Sequence, residues 1–289
     1  MERFWKTGTL APTVLIFSAL TVLPIFNILF LSFHRVEWES GKSVWTFVEF
    51  LNYSRLLRDS VFHAGILNTI IFAICTVSAQ ILIGFALALL VSSIHRARVL
   101  FRAIFILPIL VPGIVIGAVW KLMYSTEFGV INQISHVIGL PTIDWLGNPN
   151  LALLSVIIVD VWHWTPFCFL LLLAGLESMP QDVYEAAKVD GVSKFQELRY
   201  ITLPLMIPTI VVTFIFRLII SFKVFDEIFL LTAGGPGTAT EVVSFTIYRT
   251  FFTESQEGYG AAMSIATIST MALAVIMALA VKQRRSLLQ

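Results

Sequence analysis

Apolar runs of about 20 residues recur along this chain of 289, the length a helix needs to cross a hydrocarbon core. Six segments qualify: 10–33, 66–93, 103–124, 151–176, 207–231 and 261–281. Hydrocarbon offers no partners to backbone N–H and C=O groups, so such segments fold as helices that satisfy their own. Composition agrees, with 57% hydrophobic and 13% charged residues against roughly 25% charged in a soluble domain. The expected fold is an all-α polytopic membrane protein, residues 1–289 forming one membrane domain with six transmembrane helices. The first segment follows Arg3 and Lys6 as a signal peptide would, but it is too long for one. Ser32-Phe33-His34-Arg35 also offers no small-residue cleavage site, so an uncleaved helix is expected.

Lysine and arginine set the orientation. Eleven lie in the N-terminus, the loop "SIHRARVLFR", the 177–206 loop and the tail "KQRRSLLQ", against five in the opposite loops. Both termini and the 177–206 loop are therefore expected in the cytoplasm. The net charge of +1 comes without a basic patch, which argues against a nucleic-acid partner. Cys75 and Cys168 lie in apolar runs without metal or redox spacing and read as small core residues. In the outer loops, "EVVSFTIYRTFFTES" reads as an interfacial or re-entrant helix, and 125–150 is rich in turn residues.

The 177–206 loop is a polar, ordered insertion between two greasy spans. Ser178 is a candidate cap for a helix whose first turn contains Pro180 and Asp182, running through Glu185, Ala186, Ala187 and Lys188 to Asp190. Gly191 suits the left-handed residue that closes it. Ser193 with Gln196 forms a capping box for a second helix through Phe195 and Leu198. Paired alanines let a helix approach another backbone closely, so the residues alone leave open an ordinary interfacial loop or a docking element.

Glu185-Ala186-Ala187, three residues, Gly191, nine residues, then Ile201-x-Leu203-Pro204 resembles the EAA loop of permease subunits from binding-protein-dependent ABC importers. "FDEIFLLTAGGPGTAT" and "APTVLIFSALTVLPIFNILFLSF" are similar to segments of the carbohydrate-uptake group within that family, of the maltose and glycerol-phosphate type. The resemblance implies a permease domain, a second homologous permease subunit, two ATP-binding subunits, and an extracytoplasmic solute-binding protein in a bacterial inner membrane. It also implies that Glu185, Ala186, Ala187, Asp190, Gly191, Ile201, Leu203 and Pro204 couple the chain to the ATPase. ATP and Mg would sit on the partners, with no cofactor on this chain. "GKS" at 41–43 does not supply a phosphate loop, since Val36 occupies the required glycine position.

Ionisable residues inside spans face protein or water and mark pathways. "VDVWHWTPF" places Asp160, Trp162, His163, Trp164 and Phe167 in the fourth span. Aromatic faces and planar polar groups are what sugar recognition uses, and Pro166 is expected to interrupt the helix and free a carbonyl. In the fifth span Arg217 reaches a depth similar to Asp160, so it can pair with Asp160 or read an anionic solute. Lys223 with Asp226 or Glu227 has helical pair spacing. The resemblance implies a path lined near His163, Trp164 and Phe167, and near Arg217, Ile220, Ser221 and Val224. Where the family example uses amides on the later helix, this chain has Arg217 and Ser221, which leaves the solute's charge open. An ABC permease for another small solute, a secondary transporter with Asp160 and Arg217 as an ion relay, and a non-transporting membrane scaffold are the competing readings.

Overall fold

A computed structural model describes residues 2–94 and 98–286. The loop residues His95, Arg96 and Ala97, and the tail from 287, lie outside the described residues. In chain order the elements are α1 (Glu2–Leu31), β1 (His34–Glu39), β2 (Lys42–Phe47), α2 (Leu51–Leu56), α3 (Ser60–Ser92) and α4 (Arg98–Ile106). A 3-10 turn, Leu107–Leu110, leads to α5 (Gly113–Met123), α6 (Val130–Val137) and α7 (Ala152–Glu177). Then come α8 (Gln181–Val189), α9 (Lys194–Gln196), a π turn (Glu197–Thr202), α10 (Leu203–Ser221) and α11 (Asp226–Leu231). Last are α12 (Val243–Tyr248), a second π turn (Arg249–Thr253) and α13 (Glu257–Ser286).

Among the described residues, Leu10–Leu31, Ser60–Ser92, Ala152–Glu177 and Lys194–Ser221 are each long and apolar enough to cross a bilayer. The third expected span is instead a bent pair, Val99–Leu110 and Gly113–Met123, meeting at 91°. Pro112 explains the break: it offers no N–H and pushes Val111 out of the helical region, to φ −87°, ψ 128°. The fifth span, expected unbroken over 207–231, ends at Ser221 and restarts at Asp226. The freed Val224 carbonyl accepts from the Ser244 hydroxyl, so a tertiary contact supports the break. α7, expected to be interrupted, runs on through Pro166, and the Thr165 hydroxyl donates to the Val161 carbonyl at 2.6 Å. α13 covers the sixth expected segment.

The chain divides into two compact units, residues 1–63 with 246–289, and residues 64–245. In the first, the apolar side chains of α1 between Leu10 and Phe30 are largely exposed, as suits a helix facing lipid. The strands β1 and β2 were not anticipated from the sequence. They pair antiparallel from His34↔Phe47 to Glu39↔Lys42. Ser40 and Gly41 both have positive φ, the primed turn that matches strand twist, so "GKS" follows a strand but is a hairpin corner. Asp59 caps α3, accepting from the Val61 and Phe62 amides at 2.9 and 3.0 Å and from the Tyr259 hydroxyl at 2.6 Å. Burial pushes this carboxyl up, but the Tyr259 bond, the two amides and Arg55 outweigh it and hold it below its usual value. A depressed folded value means that Asp59 stabilises fully above about pH 4 and loses its contribution as pH falls further. Tyr259→Phe is therefore expected to shrink the loss of thermal stability between pH 4 and pH 2.5, read by detergent-solubilised melting.

In the second unit, one cluster joins Phe72 of α3, Ile116 of α5, Val156 and Val159 of α7, and Ile228 and Leu231 of α11. A second joins Ala88 and Val91 to Cys168, Phe169, Leu172, Leu173, Met179 and Met206. Cys168 is a core residue as expected, whereas Cys75 stands on the exposed face of α3. Asn132 of α6 pins the 125–150 loop, bonding the Ile143 amide and carbonyl at 3.0 Å each.

Around α8 the local grammar holds with one correction. Ser178 does not cap α8; its hydroxyl donates back to Gly175 at 2.8 Å and closes α7, and Pro180 precedes α8. Gly191 has φ +71°. The Val192 amide reaches the Ala187 carbonyl and the Gly191 amide the Lys188 carbonyl, both bonds of a Schellman closure. The Ser193–Gln196 box is complete. The second helix then passes through the π turn and continues as α10, with Ile201 and Thr202 in that turn and Leu203 and Pro204 at the start of α10.

Candidate functional site

The second unit holds a cluster of polar groups that an apolar helix body would not carry without use. Asp160 of α7 and Arg217 of α10 are buried and meet, Nη2 donating to Oδ2 at 2.9 Å. Gln80 of α3 completes the set. Its Oε1 accepts from Arg217 Nε at 2.7 Å, and its Nε2 donates to Asp160 Oδ2 at 2.8 Å and to the Asp160 carbonyl at 2.9 Å. Of the two roles open for Arg217, pairing with Asp160 is the one this geometry displays: the guanidinium is 0% exposed. Its Cζ lies over the Trp164 ring, 4.8 Å from the centroid, and Nη1 has no hydrogen-bond partner among the described residues.

One turn along α7, His163 Nδ1 lies 3.0 Å from Oε1 of Glu227, at the start of α11. Both are buried. The break before α11 turns Glu227 toward His163, so the expected pairing with Lys223 is absent, and Lys223 and Asp226 are exposed. Together Asp160, His163, Trp164, Ile220, Lys223, Val224, Asp226 and Glu227 line a cavity of about 230 Å³ with Gly113 and Phe225. Phe167 borders this group edge-on to Trp164 at 6.2 Å. Ser221 does not line it; buried, it contacts Thr76 Oγ1 at 3.3 Å.

A larger groove of about 910 Å³ opens along α4, α5 and α7. Its lining is almost entirely aliphatic and aromatic, and the Thr165 hydroxyl is already spent on Val161. Size alone would favour it, but its polar groups are confined to two indoles and that hydroxyl, with no charged side chain among its described lining residues. The smaller cavity has the chemistry: a carboxylate–imidazole pair, an exposed ammonium, an exposed carboxylate and an indole.

The cavity depends on how closely α11 lies on α5. Gly113-x-x-x-Gly117 provides the seat: a Cβ at Gly117 would stand 2.9 Å from Leu230 Cβ, and one at Gly113 2.9 Å from Asp226 Oδ2. Gly117→Val is expected to cost about 1–3 kcal/mol by overpacking and to move α11 off α5, seen as a lowered melting temperature. Gln80 and this glycine pair were not picked out from the sequence, and Glu227 was matched to Lys223 rather than to His163. A lone amide at mid-span and the small-xxx-small spacing were the signals that could have found them.

The apolar helices and the polar core buried among them define a membrane-embedded protein. Residues 80–287 match the family described as "Binding-protein-dependent transport system inner membrane component", and the chain belongs to it. It is 38% identical over 257 residues to the trehalose/maltose transport system permease protein MalF of Thermococcus litoralis, covering 89% of this chain and 86% of that protein. It is 32% identical over 264 residues to the sulfoquinovosyl glycerol transport system permease protein SmoG of Agrobacterium fabrum, covering 91% and 85%. In fold it is similar to a chain from the crystal structure of a bacterial ABC transporter that imports the acidic polysaccharide alginate. That likeness has a TM-score of 0.85 at 24% identity and covers 98% of this chain and 96% of the other. A second structure of the alginate transporter, in complex with an alginate pentasaccharide-bound periplasmic protein, matches with a TM-score of 0.84.

Proposed function

We propose that this chain is one of two permease subunits of an ATP-driven importer for a sugar or sugar-like solute. The cavity bounded by Asp160, His163, Trp164, Lys223 and Glu227 carries this reading, because it sets hydroxyl-binding groups beside an indole at bilayer depth. Relatives named for trehalose/maltose and sulfoquinovosyl glycerol transport support a carbohydrate and span both neutral and anionic ones. The termini and α8 face the cytoplasm of a bacterial inner membrane. Two ATP-binding subunits, which carry ATP and Mg, dock on α8. A solute-binding protein delivers from the other side, a reading supported by the alginate transporter's complex with its loaded periplasmic protein.

The exposed surface of α8 suits such a partner. Val183, Glu185, Ala186, Lys188, Val189 and Asp190 point outward while Ala187 is buried, and Phe195 and Tyr200 extend the exposed apolar surface. The buried Asp160–Arg217 and His163–Glu227 pairs favour a second reading, an ion relay that needs no ATPase. Affinity purification of the tagged chain from its native membrane separates the two. A second permease and an ATPase at stoichiometric amounts are expected, and a chain that purifies alone while still moving solute would point to the relay.

A further inference from the structure

Most of α8 faces outward, but Ala187 and the larger Tyr184 turn back into the body of the second unit. Tyr184 is half-buried beside Ala187, with its ring against the cluster of Leu172, Met179 and Met206. Its hydroxyl donates to Met179 Sδ at 2.8 Å and lies 3.2 Å from Thr202 Oγ1. Met179 sits in the short link between α7 and α8, and Thr202 is the last residue of the π turn that leads into α10. Both are buried. One hydroxyl therefore holds α8, the end of α7 and the start of α10 together.

The helix beyond Thr202 gives this joint its use. Arg217 lies fifteen residues further along the chain, about 22 Å at helical rise, and it carries the bonds to Asp160 and Gln80 beside the cavity. A displacement of α10 at Thr202 is thus carried toward the polar core along one continuous helical rod, which runs on through Pro208. The π turn Glu197–Thr202 puts a different register just before that rod, and single π turns recur at functional sites. The geometry points to Tyr184 as a positioning residue: its hydroxyl transmits displacement of α8 into α10 by keying α8 to the π turn. This rests on α8 being the docking helix for the ATPase. A merely structural Tyr184 would act through its ring, which Tyr184→Phe preserves.

The test uses the whole complex, with its native permease and ATPase partners, reconstituted with the solute-binding protein. Val189→Cys, on the exposed end of α8, reports docking by cross-linking to the ATPase in the parent, Tyr184→Phe, Thr202→Val and double-variant backgrounds. Equal cross-linking and retained ATP hydrolysis are expected in all four. Solute imported per ATP should fall about five- to tenfold in each single variant, with no further loss in the double, because both remove one coupling contact. Unchanged import per ATP in Tyr184→Phe with cross-linking intact overturns the transmission role and leaves docking standing. Cross-linking lost only in Tyr184→Phe shows the hydroxyl holding α8 in place, which also overturns it. No cross-link in the parent overturns the docking of α8 and the transmission role with it.

Discussion

Asp160→Leu is expected to destabilise the protein by about 3–5 kcal/mol, the cost of leaving a buried charge without its partner. Arg217 would remain among Gln80, Trp164 and apolar neighbours with a charge it cannot lose, because a guanidinium holds its proton in proteins. Arg217→Met should cost less, since the abandoned carboxyl of Asp160 can be neutralised by taking up a proton. Combining Asp160→Leu, Arg217→Met and Gln80→Leu should recover most of the melting temperature, as apolar replacements of a buried charge network often do. The same triple variant separates stability from transport. If the network only braces α3, α7 and α10, its stability returns and import survives in part. If the network is needed during transport, stability returns and import does not. Thermal melting of the parent and the three purified variants reads the first question. A parent-like melting temperature for Asp160→Leu would remove the pairing from the account.

Ala186→Arg should cost the complex its ATPase while leaving this chain intact. Ala186 is exposed on α8, where a small residue lets a partner's backbone come close, so a long cation there would hold the partner off. Central contacts of an interface are worth about 2–4 kcal/mol, which corresponds to a roughly thirtyfold or greater loss of affinity. Its neighbour behaves differently. Ala187 is 5% exposed and packs inward, so Ala187→Arg damages the chain's own packing first and lowers its melting temperature. Co-purification of the ATPase, set beside the melting temperature of the permease alone, distinguishes the two adjacent alanines. Equal ATPase recovery with Ala186→Arg and the parent would take this face out of the docking surface.

What could be read from the sequence depended on how local its cause was. The first, second and fourth spans were legible because a bilayer demands about 20 apolar residues, and the closure of α8 because Gly191, Ser193 and Gln196 act within a few residues of each other. The break at 222–225 was not legible: it contains no Gly or Pro, and its support comes from Ser244, twenty residues on. The Asp160–Arg217 pair could be drawn from depth alone, but depth could not show that Gln80 satisfies both partners or that Glu227 turns to His163. The hairpin was missed although the stretch from His34 to Phe47 carries a glycine at its midpoint, because an interspan loop invited no search for alternation.

The central claim, that this chain forms the path of an ATP-driven importer, is tested most directly in proteoliposomes holding the complete complex. Uptake of neutral and anionic sugars would be followed with the solute-binding protein present, with ATP or with an ion gradient as the energy source. The account predicts uptake that needs both ATP and the binding protein, and that falls sharply with Trp164→Ala while the complex stays assembled. Uptake that continues without ATP and follows the ion gradient would contradict it.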